Sequence, residues 1–176
     1  LHRRATEAYP ASGSLPTARR RLSGHWKSRH SVGNRLCQHG RAQLIETFSA
    51  LLLAHALADF VLQTRWIATH KANPLAMLIH TGTVLVAAVL ATGSAHPILI
   101  GLAAVHMAID LCKLLASRAL PNRHGLALFL TDQALHLASL IVIAQMAPDL
   151  WSSGFYGALA YVPALMTLVS GLIIAT

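Results

Sequence analysis

The stretch "ILIGLAAVHMAIDLCKLLA", residues 98–116, decides how this chain folds. It is apolar and long enough to cross the ~30 Å hydrocarbon layer of a bilayer as a helix. Yet it carries His106, Asp110 and Lys113, spaced i, i+4 and i+7, a pattern that falls on one stripe of a helix. An ionisable side chain at bilayer depth costs about 2.5–3.5 kcal/mol on insertion scales. A stripe of three therefore implies something polar facing it.

Outward from this run the chain repeats the same character. Apolar spans of ~20 residues are expected at 44–63, 75–93, 97–117, 126–147 and 155–176, separated by "TRWIATHKANP", "TGSAHP", "SRALPNRHG" and "APDLWSSG". Pro74, Pro97, Pro121 and Pro148 fall in these junctions, where a missing N–H costs little. Trp66, Trp151, Phe155 and Tyr156 lie at the span edges, where aromatic rings favour the membrane interface. Only 11% of the residues are charged, against about 25% in soluble domains, and 55% are hydrophobic. A soluble helical bundle needs polar outer faces, and "LIVIAQMA" (140–147) and "LMTLVSGLIIAT" (165–176) have none. The expected fold is all-α: a polytopic transmembrane bundle of about five spans, residues 43–176, in a lipid bilayer. The fifth span reaches the last residue with no polar flank, so the expectation is a truncated carboxyl terminus.

The net charge of +8 is misleading taken alone. Nine of the fourteen Lys and Arg residues lie in the first 42 positions, so nucleic-acid binding is a poor reading of the whole chain. Residues 1–42 have Gly, Ser, Pro and Arg without apolar periodicity and are expected to be a basic, disordered tail. Such a tail is either upstream sequence or an arm drawn to anionic lipid. Cys37 and Cys112 form no disulfide framework.

Polar residues recur in four of the spans. "HALADFVLQ" holds His55, Asp59 and Gln63, the second span holds His80, and "TDQALH" holds Asp132, Gln133 and His136. Loops 64–74 and 118–125 lie on one side, because two spans separate them. At ~1.5 Å of rise per residue, Asp59 falls ~9 Å from Arg65, Asp110 ~12 Å from Arg118 and Asp132 ~13 Å from Arg123. The order is His-x3-Asp on helices approaching this side and Asp-x3-His on the one leaving it, as a shared layer requires. The candidate site is therefore His55, Asp59, His80, His106, Asp110, Asp132 and His136, supported by Gln63, Lys113 and Gln133. Lys71 and His70 are expected to be plain loop residues, and His96 and His124 interfacial. His80, as a lone histidine, also fits simple packing.

Asp and His are ligands for Zn, Mn and Fe sites between bundle helices. A divalent metal there activates water, which suggests a metal-dependent membrane hydrolase acting on a small molecule or a lipid headgroup, with no catalytic residue singled out. The alternative is a cation or proton transporter, and the third reading is a structural scaffold. The sequence leaves the oligomeric state open.

The pieces "LLLAHALADFVLQTRW" (51–66), "LIHTG" (78–82), "HMAIDLCK" (106–113) and "FLTDQALHL" (129–137) resemble a bacterial integral membrane family catalogued as domain of unknown function 3307. The resemblance spans about residues 48–146. It implies a multi-pass protein of the bacterial inner membrane and brings no activity with it. Family members start just before the first span and continue further at the carboxyl end, which fits the readings of the tail and of truncation. Positive residues flank loops 64–74 and 118–125 and are missing from the other two junctions, so the positive-inside rule predicts a cluster opening to the cytoplasm. Lys27, Arg29, Arg35 and Arg41 of the tail argue the other way, and the internal loops take precedence.

Overall fold

A computed structural model of the chain describes residues 19–120, 124–159 and 162–175, with side chains from residue 37 onward. All regular structure among them is helical: α1 (Arg19–Ala56), a π-helical turn (Leu57–Val61), α2 (Arg65–Thr69), α3 (Pro74–Thr92), α4 (Ile98–Ala119), α5 (Gly125–Met146) and α6 (Val162–Ala175). The chain divides into two units, Leu1–Cys37 and Gln38–Thr176. In the first, the backbone is helical from Arg19. Residues 19–42, expected to be disordered, are thus helical, and residues 1–18 lie outside the described set. No proline occurs between Pro16 and Pro74, and Arg, Leu, Lys and Gln are good helix formers, so a segment too polar to build a core can still extend a helix.

In the second unit four helices are long and apolar enough to span a membrane: Cys37–Val61, α3, α4 and α5. The chain is accordingly a multi-pass membrane protein. The expected fifth span, 155–176, is a helix only over Val162–Ala175 among the described residues, and its 14 residues make it shorter than the other four. Residues 148–158 form turns instead. Two glycines explain why. Gly93 ends α3 at φ 64°, a left-handed conformation that side chains disfavour. Its carbonyl then accepts from Phe155 N at 2.9 Å. A Cβ on Gly154 would stand 2.3 Å from the Thr92 carbonyl oxygen, so only glycine permits this approach. The same segment reaches α1, where Thr47 Oγ1 donates to the Pro148 carbonyl (2.8 Å) and accepts from Trp151 N (3.1 Å). Trp151, expected at the interface, is consequently buried, whereas Trp66 and Phe155 are exposed.

The helix starts follow local rules. Asn73 Oδ1 accepts from Leu75 N (2.9 Å) with Pro74 in the first turn of α3. His96 Nδ1 accepts from Ile98 N (3.2 Å) at the start of α4, and Thr64 Oγ1 accepts from Ile67 N (3.3 Å) in α2.

The main packing is α3 on α4 and α4 on α5, with α3 and α6 also packed on the π-helical turn. The core away from the charged loops is Leu51, Ala54, Val84, Ala87, Ala88, Ala91, Leu99, Leu102, Leu140 and Ile143. Its many alanines let backbones approach closely, the usual means of helix association in lipid, where burial of apolar surface supplies little driving force. Large apolar side chains point outward instead: Leu78, Val86, Leu90, Ile100, Leu126 and Val142 are exposed, while Asp110, Asp132 and His80 are buried. Apolar outside and polar inside is the arrangement a membrane selects.

The antiparallel run of α3, α4 and α5 puts residues 62–73, 118–120 and 124 at one end of the bundle and residues 93–97 at the other. In a variant lacking Cys37 and Cys112, Thr69→Cys and Arg118→Cys are expected to react with a membrane-impermeant thiol reagent from one side, and Ala95→Cys from the opposite side. Labelling of all three from the same side contradicts the four-span arrangement.

Candidate metal centre

Four elements of the bundle meet at the polar stripe. The π-helical turn presents Asp59, α3 presents His80, α4 presents His106 and Asp110, and α5 presents Asp132 and His136, with His55 on the last turns of α1. Of these, His55, His80, His106, Asp110, Asp132 and His136 are buried outright. The wider turn at Leu57–Val61 is sealed by Leu62 N donating to the Leu57 carbonyl at 2.7 Å, an i→i+5 bond. Such π-turns inside α-helices are concentrated at functional sites. Here it re-aims Asp59 relative to His55, which stay 3.9 Å apart (Nδ1 to Oδ2).

The centre is built around two imidazoles. His80 Nε2 and His106 Nε2 lie 3.2 Å apart. Asp110 Oδ2 stands 3.3 Å from the first and 3.8 Å from the second. Asp59 Oδ1 stands 3.5 and 3.4 Å from the same two nitrogens. Each aspartate thus closes a triangle on one shared nitrogen pair. Ligands held about 2.0–2.1 Å from a tetrahedral zinc are separated by about 3.4 Å, and all five separations lie near that value. Protons alone satisfy this arrangement poorly. Each Nε2 carries at most one hydrogen, and each faces two carboxylate oxygens and the other nitrogen. Asp59 Oδ1 and His80 Nδ1 are buried without a hydrogen-bond partner. His80, His106 and Asp110 each bring one ligand atom within 4.8 Å of the others, as do His55, Asp59 and His106, and Asp110, Asp132 and His136. The chemistry of these donors fits a divalent cation of the zinc, manganese or iron class.

The remaining histidines form a packed layer. The rings of His106 and His136 are 4.1 Å apart between centroids, and those of His55 and His136 are stacked at 5.0 Å. His136 Nδ1 lies 2.9 Å from the Asp132 carbonyl oxygen, which accepts only. A hydrogen therefore sits on Nδ1, which leaves Nε2 as the nitrogen that a neutral ring offers as a ligand or base.

Two lysines close the site towards the loops. Lys71 Nζ donates to both oxygens of Asp110, at 2.9 Å each. Lys113 Nζ donates to Asp132 Oδ2 at 2.7 Å, where Gln133 Nε2 also donates (3.2 Å). With its amide oriented to suit both neighbours, Gln63 donates to the Asp59 carbonyl (3.0 Å) and accepts from Lys71 Nζ (2.8 Å). The residues expected to support the site, Gln63, Lys113 and Gln133, thus all reach an aspartate. Lys71 was missed. It was read as a loop residue, yet the short helix α2 turns it back over Asp110. One signal pointed to it: three buried carboxylates faced a single in-span lysine, and a buried carboxylate without a cation is costly. His70 is a loop residue, stacked on Trp66 at 5.2 Å. His96 caps α4. Arg123, used to place the depth of Asp132, lies outside the described residues.

The two lysines differ in exposure: the side chain is 18% exposed for Lys71 and 34% for Lys113. In metal-free protein, Lys71→Met leaves the buried Asp110 without its lysine and is expected to cost about 3 kcal/mol. Lys113→Met is expected to cost about 1 kcal/mol, because Lys113 is one-third in solvent and Gln133 still donates to Asp132. Thermal unfolding in detergent checks the order; an equal fall in Tm for both variants contradicts it.

A family model described as "Protein of unknown function (DUF3307)" matches residues 47–158. No curated protein and no solved structure matches the chain.

Proposed function

The chain belongs to this family of unknown function, so its activity has to be inferred from the site, and we propose that it is a metal-dependent membrane hydrolase. The observation that carries this reading is the pair of triangles formed by Asp59 and Asp110 on His80 Nε2 and His106 Nε2, with every measured separation between 3.2 and 3.8 Å. His80, His106 and Asp110 would hold the ion. Two histidines and a carboxylate are a common catalytic zinc set, and a divalent ion bound there would supply an activated water. Asp59, on the same nitrogen pair, is placed to act as the general base, and His55, 3.9 Å from Asp59 with Nδ1 unpartnered, is placed to relay the proton onward. Lys71 fixes the orientation of Asp110, as groups behind a metal ligand commonly do. The protein sits in the bacterial inner membrane with this mouth towards the cytoplasm, by the positive charge of loops 64–74 and 118–125.

Transport of a cation draws on the same donors but has less support. Among the described residues, the buried ionisable groups occupy only the half of the bundle next to α2. Beyond the histidines, Leu51, Val84, Ala87, Ala88, Leu99, Leu102, Leu140 and Ile143 pack tightly, and no ionisable side chain is buried there among the described residues. Access from one side suits a hydrolytic centre and leaves an ion no path of polar groups to the opposite face.

Metal analysis by mass spectrometry of protein purified in detergent without chelators tests the reading. About one zinc, manganese or iron ion per chain is expected, with loss of at least tenfold in occupancy in His80→Ala and Asp110→Ala. Asp59→Asn is expected to keep the ion and to lose hydrolysis of a phosphoester or ester substrate by 10²-fold or more. Wild type that stays metal-free after reconstitution with these ions overturns the metal reading. Metal-loaded protein that drives ion flux into liposomes and hydrolyses nothing turns the assignment to transport.

A further inference from the structure

Resting on the metal reading, the charges of the site point to the kind of molecule it accepts. Asp110 is paired with Lys71 and Asp132 with Lys113, whereas Asp59 lies against His80 with no lysine of its own. Three carboxylates against two ammonium groups leave one negative charge when the imidazoles are neutral. A divalent ion turns this into one positive charge inside an apolar bundle, where an uncompensated charge is strongly disfavoured. The centre with its ion therefore calls for one further anion.

The place for that anion is visible. A cavity of about 280 Å³ adjoins the centre on the loop side, lined by Gln63, Ala68, Lys71, Asp110, Lys113, Leu114 and Ser117. It contains both lysines and one oxygen-bearing face of Asp110. A second cavity of about 450 Å³ shares Lys71 and Leu114 with it and is otherwise apolar, running between α3 and α4 past Pro74, Met77, Leu78, Met107, Ala108 and Leu111. A polar chamber with two cations thus opens, across Lys71, into an apolar groove on the lipid-facing side. Leu78 and Leu111 are exposed along that groove.

We propose that this paired cavity binds a phospholipid with a monoanionic phosphodiester headgroup, the phosphate between Lys71 and Lys113 and one acyl chain in the groove between α3 and α4. Free phosphate matches the chamber alone. Beyond Lys71 the groove carries no polar partner for it, and its walls suit an alkyl chain that is already in the surrounding bilayer. The phosphodiester then lies beside the ion-binding histidines, which deepens the hydrolase reading to a lipid phosphodiester as substrate. An ammonium binds such a phosphate as a point charge, so Arg can replace Lys71 and Gln cannot.

Metal-supplemented protein in detergent, mixed with equal amounts of phosphatidylglycerol and phosphatidylcholine and repurified, tests this by mass spectrometry of the retained lipid. Wild type is expected to retain phosphatidylglycerol at least fivefold over phosphatidylcholine. Lys71→Gln is expected to lose the preference and Lys71→Arg to keep it. Ala108→Trp fills the groove from an exposed position without touching the buried centre, and is expected to reduce total retention several-fold. No preference in wild type, or a preference that survives both Lys71→Gln and Ala108→Trp, overturns the proposal. A preference abolished by 10 mM orthophosphate (a concentration about 10³-fold above that of a tight ligand) and untouched by Ala108→Trp assigns the chamber to free phosphate instead, and overturns it too. Metal content of the same samples, loaded in turn with zinc, manganese or iron, reports separately on the metal reading: stoichiometric metal without lipid preference removes only the lipid proposal, and absence of all three removes the reading on which it rests.

Discussion

The structure depends on one electrostatic constraint: three carboxylates lie among the helices of a membrane bundle and each needs a counterpart. Asp110 is held by Lys71 and faces His80. Asp132 is held by Lys113 and Gln133. Asp59 has neither lysine and lies against His55, His80 and His106. Desolvating one such group without compensation costs several kcal/mol, comparable to the whole stability of a small domain. The positions of α2, the π-helical turn and α5 are therefore tied to these contacts as firmly as to apolar packing.

The bundle separates two tasks along its axis. Away from the charged loops, alanines on α1, α3 and α5 bring the helices close and fix their positions. Near α2, the same helices diverge enough in side-chain size to admit four imidazoles and three carboxylates. An apolar half below the polar half supports the approach of candidate ligand atoms on two helices and a π-turn, within a few tenths of an ångström of a tetrahedral spacing. Metal centres need that support, since small losses of geometry cost affinity.

Lys71 joins the separate features of the mouth. It touches Asp110 and Gln63, lines the polar chamber and ends the apolar groove. A cation in the turn after a short helix outside the spans can respond to what occupies the centre, because its stem is flexible and its charge is balanced by Asp110. This is a feature of the loop's path and not of the spans.

The sequence by itself determined the fold class and most of the polar residues that cluster. Length and hydropathy required membrane helices, because an uninterrupted apolar run has no other stable setting. His-x3-Asp and Asp-x3-His on successive antiparallel spans placed His55, Asp59, His106, Asp110, Asp132 and His136 at related depths, because helical rise is fixed. The tertiary structure decided what spacing cannot express. Rotation about each helix axis chose His80 and His106 as the nitrogen pair. An i→i+5 bond, set by packing against α3 and α6, gave Asp59 its position. The turn of α2 brought in Lys71, whose sequence neighbours read as plain loop. The close approach of Gly93 and Gly154 shortened the last apolar helix and buried Trp151. Each of these depends on contacts between residues far apart in the chain, and local pattern carries no record of them.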